Sequence, residues 1–249
     1  MIEALRAGRR KVHEVFLPEG DGSPARRELE ALLREGGVRV RTGRAGDGVR
    51  AHADPYPEEE VEALLASDPP RFLVALDRVT DVGNLGSIAR TAEAAGVTGL
   101  VLEHRNAPAI GPGALRASAG ALEHLRVGRT PNLGRALDLA AESGVTVLSA
   151  DLDGEPIDRL APHLLAGDLV WVFGSEDRGT RPGVRRRAAV SVSIPLHGRT
   201  ASLGVAAAAA YLLLRTAEVR RQGERDAKPG SGFRAHETPQ VRGGTNEIS

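Results

Sequence analysis

Five short runs dominated by Val and Leu, with stretches of helical spacing among them, set the strongest limit on how this chain folds. They are RFLVALDRV (71–79), GLVLEH (99–104), VTVLSADL (145–152), LVWVFGSE (169–176) and AVSVSIPL (189–196). Strands that are apolar on both faces belong in a parallel sheet covered by helices on either side. Residues near 84–95, 112–120, 132–143 and 182–188 supply those helices. The pattern predicts an α/β fold, in which ligands bind beyond the carboxyl ends of the strands.

The first third of the chain is built on a smaller scale. It predicts a strand at 11–18 (KVHEVFLP), a helix at 24–35, strands at 38–41 (VRVR) and 48–53 (GVRAHA), and a helix at 57–67. Two adjacent prolines in the polar stretch SDPPR read as a linker. The expected organisation is a small α/β unit (1–66), a linker (67–71), a larger α/β unit (72–221) and a tail (222–249). That tail is polar and Gly-rich, with too little apolar surface to fold, and is expected to be disordered.

The 249 residues include no cysteine, which excludes disulfides, thiolate metal sites and a cysteine nucleophile, and agrees with a cytoplasmic protein. The longest apolar run, 205–214, is far short of the roughly 18 residues of a spanning helix, and no signal peptide is expected. Lys and Arg number 33, as do Asp and Glu, so nucleic acid is not bound through bulk charge. Two local clusters remain: Arg6, Arg9, Arg10 and Lys11 near the start, and Arg178, Arg181, Arg185, Arg186 and Arg187 later. Taken alone, each reads as a solvated helix face or as a contact for phosphates. Only 3% of residues are aromatic, so stacking platforms for bases are not expected.

No convincing G-x-G-x-x-G fingerprint follows a strand, and the Walker A pattern is missing, which argues against a nicotinamide or ATP enzyme. Three strand-to-loop junctions stand out instead. LDRVTDVGNLGSIARTAEAAGV ends a strand, turns at Gly83 and Asn84, and starts a helix carrying Arg90. VFGSEDRGTRP runs a strand into Gly174, Glu176 and Gly179, and IPLHGRTASLGVAAAAAYLLL runs one into Pro195, Gly198, Ser202 and Gly204. Singly, Asn84 reads as a helix cap, the glycines as turn formers and Glu176 as a carboxylate near a helix start.

In this order, NLGSIARTAEAAG (84–96), VFGSEDRG (172–179) and IPLHGRTASLGVAAAAAYLL (194–213) resemble the three motifs of the SpoU (TrmH) branch of the SPOUT RNA methyltransferases. RASAGALEHLRV (116–127) is also similar to a stretch of that family, and the resemblance covers 71–221. The front third resembles the ribosomal-protein-like RNA-binding domain that precedes the catalytic domain in guanosine 2′-O-methyltransferases of 23S rRNA and in some antibiotic-resistance relatives.

The resemblance implies a carboxyl-terminal trefoil knot whose loops hold S-adenosylmethionine, a homodimer, and methyl transfer to a ribose 2′-hydroxyl of RNA without a metal. It implies cofactor contacts at Gly174, Ile194 and Leu203, with Leu148, Ser149, Ala150 and Leu196 lining the adenine side. Arg90 matches the arginine assigned to the 2′-hydroxyl, Asn84 its companion, Glu176 the motif carboxylate and Ser202 a serine on the substrate side. A guanidinium is not normally deprotonated in proteins, so Arg90 as a literal base and Arg90 as a stabiliser of the alkoxide both stand. The RNA contacts implied are Arg6, Arg9, Arg10, Lys11, Arg178 and Arg181. Where most of the family reads Ser-Leu-Asn, this chain has Ser202, Leu203 and Gly204, and a side-chain amide is missing. The alternative reading is therefore an RNA-binding protein that has lost methyl transfer.

Overall fold

The computed structural model describes residues 1–19, 22–43 and 48–226. The chain begins with α1 (Ile2–Ala7), β1 (Val12–Pro18), α2 (Pro24–Glu35), β2 (Arg39–Gly43) and β3 (Arg50–Ala53). There follow β4 (Glu58–Glu60), α3 (Val61–Leu65), β5 (Phe72–Asp77), α4 (Val82–Ala94), β6 (Gly99–Glu103), α5 (Pro112–Ala117) and a 3-10 turn at Ala121–His124. The rest is β7 (Arg126–Thr130), α6 (Leu133–Glu142), β8 (Thr146–Pro156), α7 (Pro162–Ala166), β9 (Leu169–Gly174), α8 (Pro182–Arg185), β10 (Val190–Ser193) and α9 (Val205–Asp226).

Two sheets result. The small one has the order β2-β1-β3, and the large one has the order β10-β8-β9-β5-β6-β7-β4 with every strand pair parallel. All six residues of β5 are buried. Phe72, Val74 and Leu76 pack with Leu85, Ile88 and Ala92 of α4 and with Leu212 and Leu213 of α9. Leu73 and Ala75 face the other way, into Leu64 of α3 and Leu133, Ala136 and Leu137 of α6. Period-two alternation thus feeds two separate cores, as a doubly covered parallel sheet requires. Trp171, the one tryptophan, lies wholly buried in β9 and donates from its indole Nε1 to Thr216 Oγ1 of α9 at 3.0 Å.

Four expectations need correction. The helix expected over 57–67 gives its first residues to β4, which pairs with β7, because Glu58 and Glu59 accept from the Arg129 and Arg126 guanidiniums on that strand. Strand β7 itself was not predicted from the sequence, since RVGRT carries two arginines and a glycine. Residues 58–60 therefore pair into the large sheet, and α3 packs against it through Val61, Leu64 and Leu65. Arg71, placed in the linker, is fixed by Asp168, which accepts its backbone N–H at 2.8 Å and its Nε at 2.7 Å. At the other end, α9 runs through Gln222 to Asp226, so the first residues of the expected tail are helical, while 227–249 lie outside the described residues. Among the described residues no helix is long and apolar enough to cross a membrane.

The small sheet is tied to the large one through the 116–127 stretch. Glu3 of α1 pairs with His124 at 2.7 Å, and Arg10 Nε donates to buried Glu123 at 3.1 Å. The Tyr56 hydroxyl donates to the Leu122 carbonyl at 2.8 Å, while Arg9 lies over the Tyr56 ring and donates to the Leu125 carbonyl. Burial, the largest influence, pushes the Tyr56 pKa up to about 12.

Candidate active site

Strands β5, β6 and β7 extend the sheet in one direction, and β9, β8 and β10 extend it in the other, so the topological switch lies between β5 and β9. The last paired residues there are Asp77 and Gly174. Crevices at the carboxyl ends of strands beside such a switch bind ligands.

The chain leaves β9 through a very tight loop. Ser175 and Gly179 form an antiparallel bridge, and Gly179 has φ +60°. A Cβ on Gly174 would lie 2.1 Å from the backbone of Gly179 and Thr180, so only glycine allows the loop to fold back on its own strand. Asp77, fully buried, then fixes the far end of the loop. It accepts the Arg181 backbone N–H and the Arg181 Nε, both at 2.6 Å, and Glu103 of β6 accepts from the same guanidinium at 2.7 Å. Burial works against the Arg181 charge, but Glu103 and Asp77 outweigh it and raise the Arg181 pKa above the ordinary range.

From the middle of this loop, the Glu176 carboxylate reaches the start of α9, where Oε1 accepts from the Val205 N–H at 3.2 Å. The first N–H groups of a helix have no partner within it and its end carries partial positive charge, so a carboxylate is favoured there. Glu176 is thus a helix-terminus carboxylate, but of a helix 29 residues later in the chain. A Cβ on Gly204 would stand 3.0 Å from Glu176 Oε1. The glycine that departs from the usual motif leaves room for the carboxylate.

The loop after β9, the loop after β10 and the end of β8 enclose a cleft of about 370 Å³. Of the residues singled out in the sequence, Ala150, Gly174, Glu176, Arg178, Ile194, Leu196, Ser202 and Leu203 line it. Leu148 and Ser149 do not. Leu148 is part of the core, and buried Ser149 contacts the Thr180 hydroxyl at 3.4 Å, supporting the loop from below. Asn84 and Arg90 are also not among the lining residues. Asn84 is not the cap of α4: Asp81 is, accepting the Asn84 backbone N–H at 2.7 Å. Arg90 is exposed on the same helix.

Three of the expected RNA contacts have their charge engaged within the protein: Arg9 and Arg10 in the contact between sheets, and Arg181 by Asp77 and Glu103. Arg6 pairs with Glu3 and Glu28, whereas Lys11 and Arg178 are exposed. Reading the sequence missed Asp77 and Asp151, a cleft residue paired with Arg185 at 3.0 Å, because both look like ordinary strand-end acids.

The signature of the SpoU rRNA Methylase family matches residues 71–214, which span β5 to the apolar part of α9 and both loops of the cleft. The chain belongs to this family. Among its relatives, an uncharacterized tRNA/rRNA methyltransferase of Archaeoglobus fulgidus is 34% identical over 213 residues, 85% of this chain and 92% of the relative. Another, of Mycolicibacterium vanbaalenii, is 38% identical over 179 residues, and the match covers 70% of this chain but just over half, 56%, of the relative.

Solved SpoU structures share the fold. AviRb from Streptomyces viridochromogenes, in complex with AdoMet, superposes with a TM-score of 0.75 at 24% identity, covering 89% of this chain and 87% of AviRb. An AdoMet-bound rRNA methyltransferase from Sinorhizobium meliloti does so with 0.67 at 26% identity, covering 89% and 84%.

Proposed function

We propose that the chain transfers a methyl group from S-adenosylmethionine to a ribose 2′-hydroxyl of RNA, with 23S rRNA as the substrate. The observation that carries this reading is the cleft formed by the loops after β9 and β10, locked together by Glu176 on the Val205 N–H.

The residues present fit the cofactor. A cleft of about 370 Å³ is within the ~300–1,000 Å³ of small-molecule sites. Ile194, Leu196 and Leu203 offer apolar surface for a purine. Asp151, Asp153, Glu176 and Asp177 border the same space, and carboxylates favour a ligand with ammonium and sulfonium charges. When bound, S-adenosylmethionine supplies a methyl group on a positively charged sulfur.

A 2′-hydroxyl is a weak nucleophile while it keeps its proton, so the site must favour the alkoxide. Arg90 is assigned to that task as a fixed positive charge, with Asn84, at the start of the same helix, as its companion in the motif and Ser202 on the substrate side. Arg90 does not line the cleft of its own chain, which supports a homodimer in which α4 of one protomer faces the cleft of the other. Tyr211 and Leu214, exposed one turn apart on α9, are suited to such a contact. The carboxyl-terminal trefoil knot and a cytoplasmic setting belong to the same proposal.

The test is transfer of labelled methyl to total rRNA from a strain lacking the enzyme. Labelling of a single alkali-resistant ribose site, abolished by Arg90→Ala, is expected. Label in a base, or label that survives Arg90→Ala, would refute the proposed chemistry. Cofactor binding without transfer to any RNA would favour the RNA-binding alternative.

A further inference from the structure

We propose that the outward face of the small sheet is a platform for an unpaired RNA strand, an inference that rests on the RNA reading above. In β1, Val15 and Leu17 turn inward, to Leu29 and Leu33 of α2 and to Ile2 and Leu5 of α1. Alternation along a strand sends Glu14 and Phe16 to the opposite face. The register places Arg39 and His52 on either side of Glu14, and Arg41 and Arg50 on either side of Phe16. The outer face is therefore two rows of three side chains, with an aromatic ring in the middle of one row.

The charge on this face is lopsided. Among the described residues, Arg39, Arg41 and Arg50, with Lys11 at the edge, stand beside two carboxylates: Glu14, which accepts from Arg41 Nε at 2.7 Å and lies 4.0 Å from an Arg39 nitrogen, and Asp54, which pairs with His13 at 2.7 Å. The chain as a whole has no net charge, so this is a local concentration of positive charge. The Arg39 and Arg41 side chains remain 72% and 58% exposed. A groove lined by Lys11, His13, Arg39, Arg41 and His52 opens at the edge of the face.

Arginines flanking one ring match a polymer that alternates phosphates with planar bases. The Arg41 and Arg50 guanidiniums each lie 5.9 Å from the Phe16 centroid, so a base entering here meets both an aromatic face and guanidinium planes. A duplex hides its base faces and leaves such a ring without a partner, whereas an unpaired strand uses it. A chain with few aromatic residues can still place one of its four phenylalanines, the half-buried Phe16, at the centre of this sheet face.

The test uses the full chain, a fluorescein-labelled unstructured RNA of about 20 nucleotides and a blunt duplex of equal length. Wild type is expected to prefer the single strand. Phe16→Leu and the double variant Arg39→Gln/Arg41→Gln are each expected to weaken it about tenfold, and Phe16→Tyr to retain it. The double variant should also lower the salt slope by about 1.4, for two lost phosphate contacts. S-adenosylmethionine affinity should not move. Preference for the duplex, or unchanged affinity and slope in the variants, would overturn the platform. Methyl transfer to a 23S rRNA transcript separates the two readings. An active wild type with an unchanged RNA KM in the double variant removes only the platform, whereas binding weakened as described without transfer from wild type removes only the reaction.

Discussion

Glu176 and Val205, 29 residues apart, meet at 3.2 Å as carboxylate and helix-terminal N–H, and this bond joins the loop after β9 to the helix after β10. Glu176→Ala removes the acceptor and frees the loop. A stability loss of about 1 kcal/mol, typical of a lost helix-terminal partner, is expected in urea titration. S-adenosylmethionine affinity should fall about tenfold by calorimetry, and Glu176→Gln, which keeps an oxygen acceptor, should fall less.

Gly204→Asn restores the residue usual in the motif but places a Cβ 3.0 Å from Glu176 Oε1. The carboxylate has to move, so cofactor affinity is expected to drop a few-fold rather than rise. Tighter binding on calorimetry would show that the missing amide limits this site.

Asp77→Ala leaves the Arg181 guanidinium with Glu103 alone and the Arg181 backbone N–H without its acceptor. A loss of about 2 kcal/mol is expected, less than for a fully buried pair because the Arg181 side chain is 32% exposed. Trp171 fluorescence during denaturation reads the change directly, since this tryptophan lies in β9 ahead of the loop.

Tyr56 gives the contact between the sheets a dependence on pH. Burial keeps its hydroxyl protonated in the folded state to about 12, while in the unfolded chain it ionises near 10. Its contribution is intact below pH 10 and is lost as pH rises towards 12. Tyr56→Phe is expected to be about 1 kcal/mol less stable at pH 8, the scale of one hydrogen bond. That gap should narrow above pH 10 in denaturation curves taken in parallel.

The large sheet was legible because its strands are apolar on both faces, a signal that local composition carries by itself. Strand β7 was not, since Arg126 and Arg129 are explained only by the glutamates of β4 across the sheet. The motif loops were legible as glycines and a carboxylate after strands, and most of their residues do line one cleft. The partner of each group was not, because Glu176 to Val205 and Asp77 to Arg181 span 29 and 104 residues. The arginine run at the start looked like a nucleic-acid contact for the same reason: Glu123 and the Leu125 carbonyl, which occupy Arg10 and Arg9, lie more than 110 residues away.

Strand β4 is three residues long, and it closes one side of the seven-stranded sheet. Its helix, α3, sends Leu64 to where Gly99 and Gly128 lack side chains. A chain shortened to begin at Arg71 would lose both. The β7 backbone would then become an open edge beside a bare apolar hollow, and extended segments of other molecules could add to it. What looks like the end of an appended unit is the cover over that edge of the large sheet.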